Sequence, residues 1–196
     1  MEILPTPLSE IQKLSQTVYM PDQKLILVDE NDRFLDKYAS RKKCHLGLGL
    51  HHRSFTVMIL NKKGEVLLQH RKHQLWDKVW DLTNSHPQRL ADGTDETYEE
   101  AIQKCLIREW GISIPVKKIF SFNYYAKLDG QCENEFCVFF MGKYNGQIFP
   151  NSEVAYGSKW IALPELLADI KINPNQYTPW AIKALKEFSL GNNLII

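Results

Sequence analysis

The chain has 196 residues, in which 24 Lys+Arg oppose 23 Asp+Glu for a formal net charge of +1. That balance excludes a binder of nucleic-acid backbones, which needs clustered cations, and a chain kept open by like charge. At 44% hydrophobic and 24% charged residues, the sequence predicts one soluble globular core and no membrane partner, because no run nears the ~18 apolar residues of a span.

Residues 1–22 read as a peripheral N-terminal extension, with weak periodicity and early prolines at Pro5 and Pro7. Glu2 and Glu10, with no basic stretch before an apolar run, argue against a secretory signal. Residues 23–190 read as one domain. Its first signal is a hairpin: Lys24–Val28, then Asp29-Glu30-Asn31-Asp32, then Arg33-Phe34-Leu35. Phe55–Leu60 and Val66–His70 form a second, with Gly64 placed for a left-handed turn position. Val79–Leu82, Ile119–Tyr125, Glu135–Met141 and Lys159–Ala162 follow as strands, the middle two joined by a turn at Asp129-Gly130. A helix over Thr97–Trp110 shows apolar residues at three- and four-residue spacing, with Thr94 or Asp95 as N-cap and Gly111 as stop. Pro164–Ile170 and Pro179–Phe188 are two more helices, each opened by proline. Strands mixed with a few helices predict an α/β sandwich around a mixed β-sheet. The cysteines Cys44, Cys105, Cys132 and Cys137 form no CxxC pair, which points to reduced thiols and a cytoplasmic protein.

Three clusters hold residue types that core packing does not require. Glu133-Asn134-Glu135 heads a strand, where alternation puts both carboxylates on one face with Cys137 and Phe139. Such a pair repels unless a cation or proton lies between; a solvated strand end is the alternative. His45, His52 and His86 each read singly as surface or core histidines. Together with the glutamates they form a three-nitrogen, two-oxygen set suited to Zn²⁺, Mn²⁺ or Mg²⁺. Glu109 lies on the apolar stripe of its helix near the C-terminal end, where burial and dipole both disfavour a carboxylate, so a bound cation is the reading that offsets both. Asp95, Glu96, Glu99 and Glu100 lie at the start of the same helix and read as dipole complements. His51, His70 and His73 read as surface residues.

Taken together, these residues resemble type I isopentenyl-diphosphate isomerase, a member of the Nudix superfold. The matching pieces are Lys37-Tyr38-Ala39, His45 and His52 seven apart, Val79-Trp80, His86-Pro87-Gln88, Ala101 to Gly111, Phe122-Asn123-Tyr124, Glu133-Asn134-Glu135, Ser152-Glu153-Val154 and Thr178-Pro179-Trp180. They run in family order from about Leu25 to Phe188. The resemblance implies a Nudix-like α/β/α sandwich. It also implies that His45, His52, His86, Glu133 and Glu135 bind one divalent metal, and that Glu109 contacts a Mg²⁺ bridging to the substrate diphosphate. Glu135 and Tyr124 would stand on the protonating side of a prenyl substrate. Trp180 would face its hydrocarbon, and Arg71, Lys72 and Lys104 its diphosphate.

The sequence also departs from that family. The cysteine that lies two residues before the histidine of the HP dipeptide is Asn84 here, and the preceding segment is one residue shorter, so Asn84 or Ser85 faces the slot. Neither side chain replaces a thiolate, whose parent thiol ionises at about 8.5. The basic loop around Arg71-Lys72-His73 is short, and the arginine that should follow Lys104 is Cys105. The Nudix hydrolase signature fares worse, reading Lys104-Cys105-Leu106-Ile107-Arg108-Glu109 with Leu90 at the leading glycine. Three functions follow: metal-dependent isomerisation of isopentenyl and dimethylallyl diphosphate, hydrolysis of a prenyl or other small diphosphate, and non-catalytic binding of a diphosphate.

Overall fold

The computed structural model describes residues 23–191; the extension assigned to residues 1–22 lies outside them. Ten strands join one sheet: β1 (Lys24–Val28), β2 (Phe34–Ser40), β3 (His52–Leu60), β4 (Glu65–Arg71), β5 (Trp80–Asp81), β6 (Thr83–Ser85), β7 (Gln88–Arg89), β8 (Val116–Leu128), β9 (Gln131–Lys143) and β10 (Ala155–Ala162). The helices are α1 (Arg41–Cys44), α2 (Tyr98–Trp110), α3 (Leu163–Ile172) and α4 (Pro179–Gly191). The two hairpins, the three longer helices and the mixed sheet match the expectation. The short α1 and β7 carry too little periodicity to be read in advance.

Alternation along the central strands builds two cores. Phe55, Val57 and Ile59 of β3 and Phe136, Val138 and Phe140 of β9 point to one face, where α2 buries Ile102, Leu106 and Trp110. Met58, Cys137 and Phe139 point to the other, under Leu166, Ile170, Ala184 and Leu185 of α3 and α4. Each large side chain taken fully from water contributes roughly 1.5–3 kcal/mol, so both faces hold their helices firmly. The result is an α/β/α sandwich.

Thr97, rather than Thr94 or Asp95, is the N-cap of α2. Its hydroxyl accepts from Glu100 N at 3.2 Å while the Glu100 carboxylate accepts from Thr97 N at 2.9 Å, a reciprocal capping box. Thr94 is engaged with Asp92 and Asp95 with Arg89. Gly111 ends the helix with φ of 66°, the left-handed conformation that glycine adopts without strain. Asp129 and Gly130, with φ of 48° and 78°, turn the β8–β9 hairpin.

Candidate active site

The site begins with strand register. β3 and β9 run parallel, the only two strands to do so among the described residues, and place His52 opposite Glu135. On the other side of β9, the antiparallel β8 places Tyr124 opposite the same Glu135. Residues in one rung share a face, so His52, Glu135 and Tyr124 project together, with Glu133 one pleat away. His45 caps the C-terminus of α1. His86 follows β6, whose Ser85 pairs with Phe55 of β3. Four separate segments thereby deliver five ligand-type side chains whose donor atoms all lie within 4.8 Å of one another.

All five are buried, which removes the solvated strand end as a reading of Glu133 and Glu135. His45 and His52 donate from Nδ1 to the carbonyls of Arg41 and Leu50, each at 2.7 Å, which aims the lone pair of Nε2 inward. His45 Nε2 lies 2.8 Å from Glu133 Oε2, and His52 Nε2 lies 3.4 Å from Glu135 Oε1. His86 Nε2 donates to Glu135 Oε1 at 2.6 Å, while its Nδ1 accepts from the Arg41 guanidinium at 2.9 Å. Tyr124 donates its hydroxyl to Glu135 Oε2. Glu135 therefore turns one oxygen to the histidines and the other to the tyrosine.

Burial and the neighbouring Glu135 push Glu133 up, whereas His86 and His52 overcome burial and hold Glu135 well below the usual carboxylate range. Burial keeps His86 neutral at ordinary pH, the form that ligates metal. Two buried atoms in the cluster, His52 Nε2 and Glu133 Oε2, have no hydrogen-bond partner. An unpaired buried acceptor costs about 1–3 kcal/mol, and two of them aimed at one point fit a divalent ion. The donor set thus suits a metal of the kind expected.

Beside His86 opens a cavity of about 300 Å³. Arg71, Lys72, Lys104, Asn84, Ser85 and Glu109, all singled out in the sequence, line it. Glu109 is buried, within 3.0 Å of Arg108 Nη2 and 3.4 Å of Gln69 Nε2. Trp180 and Tyr124 do not line this cavity. Trp180 is only 2% exposed, and the Arg71 guanidinium sits over its ring at 5.2 Å from the centroid. The face assigned to a cationic substrate therefore carries a cation of the protein.

Other residues of the site were not legible in advance. Arg41 and Arg108 line the cavity too, and neither stands in a pattern that marks it. Glu96 reads in sequence as a dipole complement at the start of its helix. Because the helix starts at Thr97, Glu96 precedes it and lies buried in the cavity wall, paired with Lys104 at 2.6 Å. His73 is likewise no surface histidine: it borders the cavity, and burial together with Arg71 and Arg41 holds it down to about 2. Asp81 is fully buried and pushed up to about 6 by that burial. Its Oδ2 accepts from Arg71 and Asn84 and its Oδ1 from Thr178 and the Leu82 amide. None of the four cysteines lines the cavity; all are buried and unpaired.

A mixed-sheet α/β/α sandwich with a His3Glu2 cluster at a cation-lined cavity defines a class, and residues 50–181 match the NUDIX domain model. The Deinococcus radiodurans protein DR0079 shares the fold with a TM-score of 0.65 at 16% identity, over 84% of this chain and 98% of that one. In sequence, the isopentenyl-diphosphate Delta-isomerase of Serratia proteamaculans is 31% identical over 176 residues, spanning 88% of this chain and 93% of that protein. The Schizosaccharomyces pombe isomerase is 30% identical over 81% of this chain and 78% of its own length. The chain belongs to the isopentenyl-diphosphate isomerase family of Nudix proteins. Among the described residues no helix is long and apolar enough to cross a membrane.

Proposed function

We propose that the protein is a metal-dependent enzyme that interconverts isopentenyl and dimethylallyl diphosphate. The observation that carries this reading is Glu135, shared between the His3Glu2 cluster and the Tyr124 hydroxyl. A proton-bearing hydroxyl on a buried carboxylate suits carbon protonation and has no evident task in a site that only attacks phosphorus. A divalent ion held by His45, His52, His86, Glu133 and Glu135 would supply the positive charge that makes two buried glutamates compatible with an anionic substrate.

The reaction adds a proton to the terminal CH₂ carbon of isopentenyl diphosphate, leaves a tertiary cation, and removes a proton from C2. Tyr124 and Glu135 hold the exchangeable proton on one side. On the Asn84 side the Cys105 thiol donates to the Asn84 carbonyl at 3.7 Å, with burial holding it well above the usual thiol range, and the ionisable group tied to the Asn84 side chain is Asp81, in its 2.6 Å hydrogen bond. Arg71 must leave the Trp180 ring for that ring to meet the substrate cation. The diphosphate belongs in the cavity with Arg71, Lys72 and Lys104, and Glu109 would hold the Mg²⁺ that accompanies it. Four thiols with no disulfide partner support the cytoplasmic reading.

The absence of a thiol on the cavity wall favours one second reading, hydrolysis of a prenyl or other small diphosphate at the same metal cluster. Incubation with isopentenyl diphosphate and Mg²⁺ in deuterated water separates the two. Deuterium in a dimethylallyl product supports isomerisation. Release of phosphate or pyrophosphate without isomer rejects it in favour of hydrolysis, and binding without either product leaves only a binding protein.

A further inference from the structure

The cavity contains five cationic side chains, and most are already committed to the protein. Arg71 donates to Asp81 and to the Leu75 carbonyl at 3.0 and 3.1 Å. Lys104 is held by Glu96 at 2.6 Å and Lys72 by the Ser152 carbonyl at 3.0 Å. Arg41 bridges Gln23 and His86. Arg108 differs. Its Nη2 contacts Glu109 Oε1 at 3.0 Å and Cys105 Sγ at 3.2 Å, and its Nε is buried with no partner at all.

An arginine in the last turn of a helix is explained by the dipole when it points to water. Arg108 instead turns back toward Cys105, its Nη2 lying 3.2 Å from Cys105 Sγ.

We propose that Arg108 is a diphosphate-binding arginine of this chain. The assignment rests on the diphosphate reading above. A bidentate guanidinium matches two phosphate oxygens, and the unpartnered Nε together with Nη2 forms such a fork. The Glu109 carboxylate that now holds Nη2 is the group expected to hold the Mg²⁺ of the substrate, so that ion and Arg108 would approach the same phosphate from adjacent residues.

Calorimetric titration of the metal-loaded protein with inorganic pyrophosphate and Mg²⁺ tests this. Arg108→Ala is expected to weaken binding about 10- to 100-fold, the range of a lost charge-assisted contact. Arg108→Lys, which keeps the charge but not the fork, should lose roughly 3- to 10-fold and serves where the alanine variant does not fold. Adding Cys105→Arg to Arg108→Ala should recover most of the loss, which a purely structural role at the helix end would not allow. Wild-type affinity in both single variants, or a loss that Cys105→Arg leaves untouched, overturns the assignment to Arg108. A wild-type protein that binds no pyrophosphate overturns the diphosphate reading itself, and this inference with it.

Discussion

Two buried polar clusters, one around Asp81 and one around Glu133 and Glu135, are finished to different degrees. Around Asp81 both carboxylate oxygens are doubly engaged, by Arg71 and Asn84 on one and by Thr178 and the Leu82 amide on the other. Around Glu135 and Glu133 the protein stops short, leaving His52 Nε2 and Glu133 Oε2 without a hydrogen bond although Glu135 Oε1 and His45 Nε2 stand 3.4 and 2.8 Å from them. A satisfied network needs nothing from solution and rigidifies its surroundings. An unsatisfied one, buried to the same depth, is stable only with a partner from outside. The contrast marks which cluster awaits a cation more sharply than burial does, which the two clusters share.

The difference predicts distinct failures. Glu135→Gln should abolish turnover under either enzymatic reading, with a loss of about 10²- to 10⁴-fold in kcat, and leave melting temperature within a few degrees; full activity would remove Glu135 from the mechanism. Asp81→Asn should do the reverse in kind, destabilising the fold by about 3–5 kcal/mol in urea unfolding because Arg71 is left buried without its counter-charge. A stable Asp81→Asn protein would mean the Arg71 guanidinium has another partner and the cluster is not closed.

His73 offers a test on the cavity rim. It is neutral in the fold, held down to about 2, whereas the unfolded chain takes up its proton near 6.5. The stabilisation it brings is thus present above pH 6.5 and is lost as pH falls from there toward 2. Between pH 6.5 and 5 the loss should reach at most about 2 kcal/mol, and His73→Asn should flatten that part of the profile. Parallel profiles for the two proteins would place His73 in water. The smallest effect belongs to Asn84→Cys, which should raise isomerisation about tenfold by restoring an ionisable thiol beside the substrate. No gain would show that Asn84, tied to Asp81 and the Leu82 carbonyl, is displaced from the reacting carbons.

Much of this was readable from sequence, for reasons that differ by residue. His45, His52, His86, Glu133, Glu135 and Glu109 stand out because core packing does not select such side chains at those positions. Their convergence was not readable, since it depends on the parallel β3–β9 register, a contact between strands far apart in the chain. Glu96 and His73 were misplaced because local pattern shows neither the true start of α2 nor the long-range packing that sets Lys72 and His73 at the cavity. Trp180 was found as a residue but not in its surroundings: only the fold brings Arg71 onto its ring. Arg108 carried no signal, because an arginine near a helix C-terminus has an ordinary explanation in the dipole.

The central claim is that the incomplete cluster is a metal centre, and metal analysis of the purified protein tests it most directly. The account predicts one divalent ion per chain at the His3Glu2 cluster, a melting temperature that rises by several degrees on loading, and loss of both in His52→Ala. A protein that takes up no ion at that cluster, and melts at the same temperature with and without added Zn²⁺, Mn²⁺ or Mg²⁺, would contradict it.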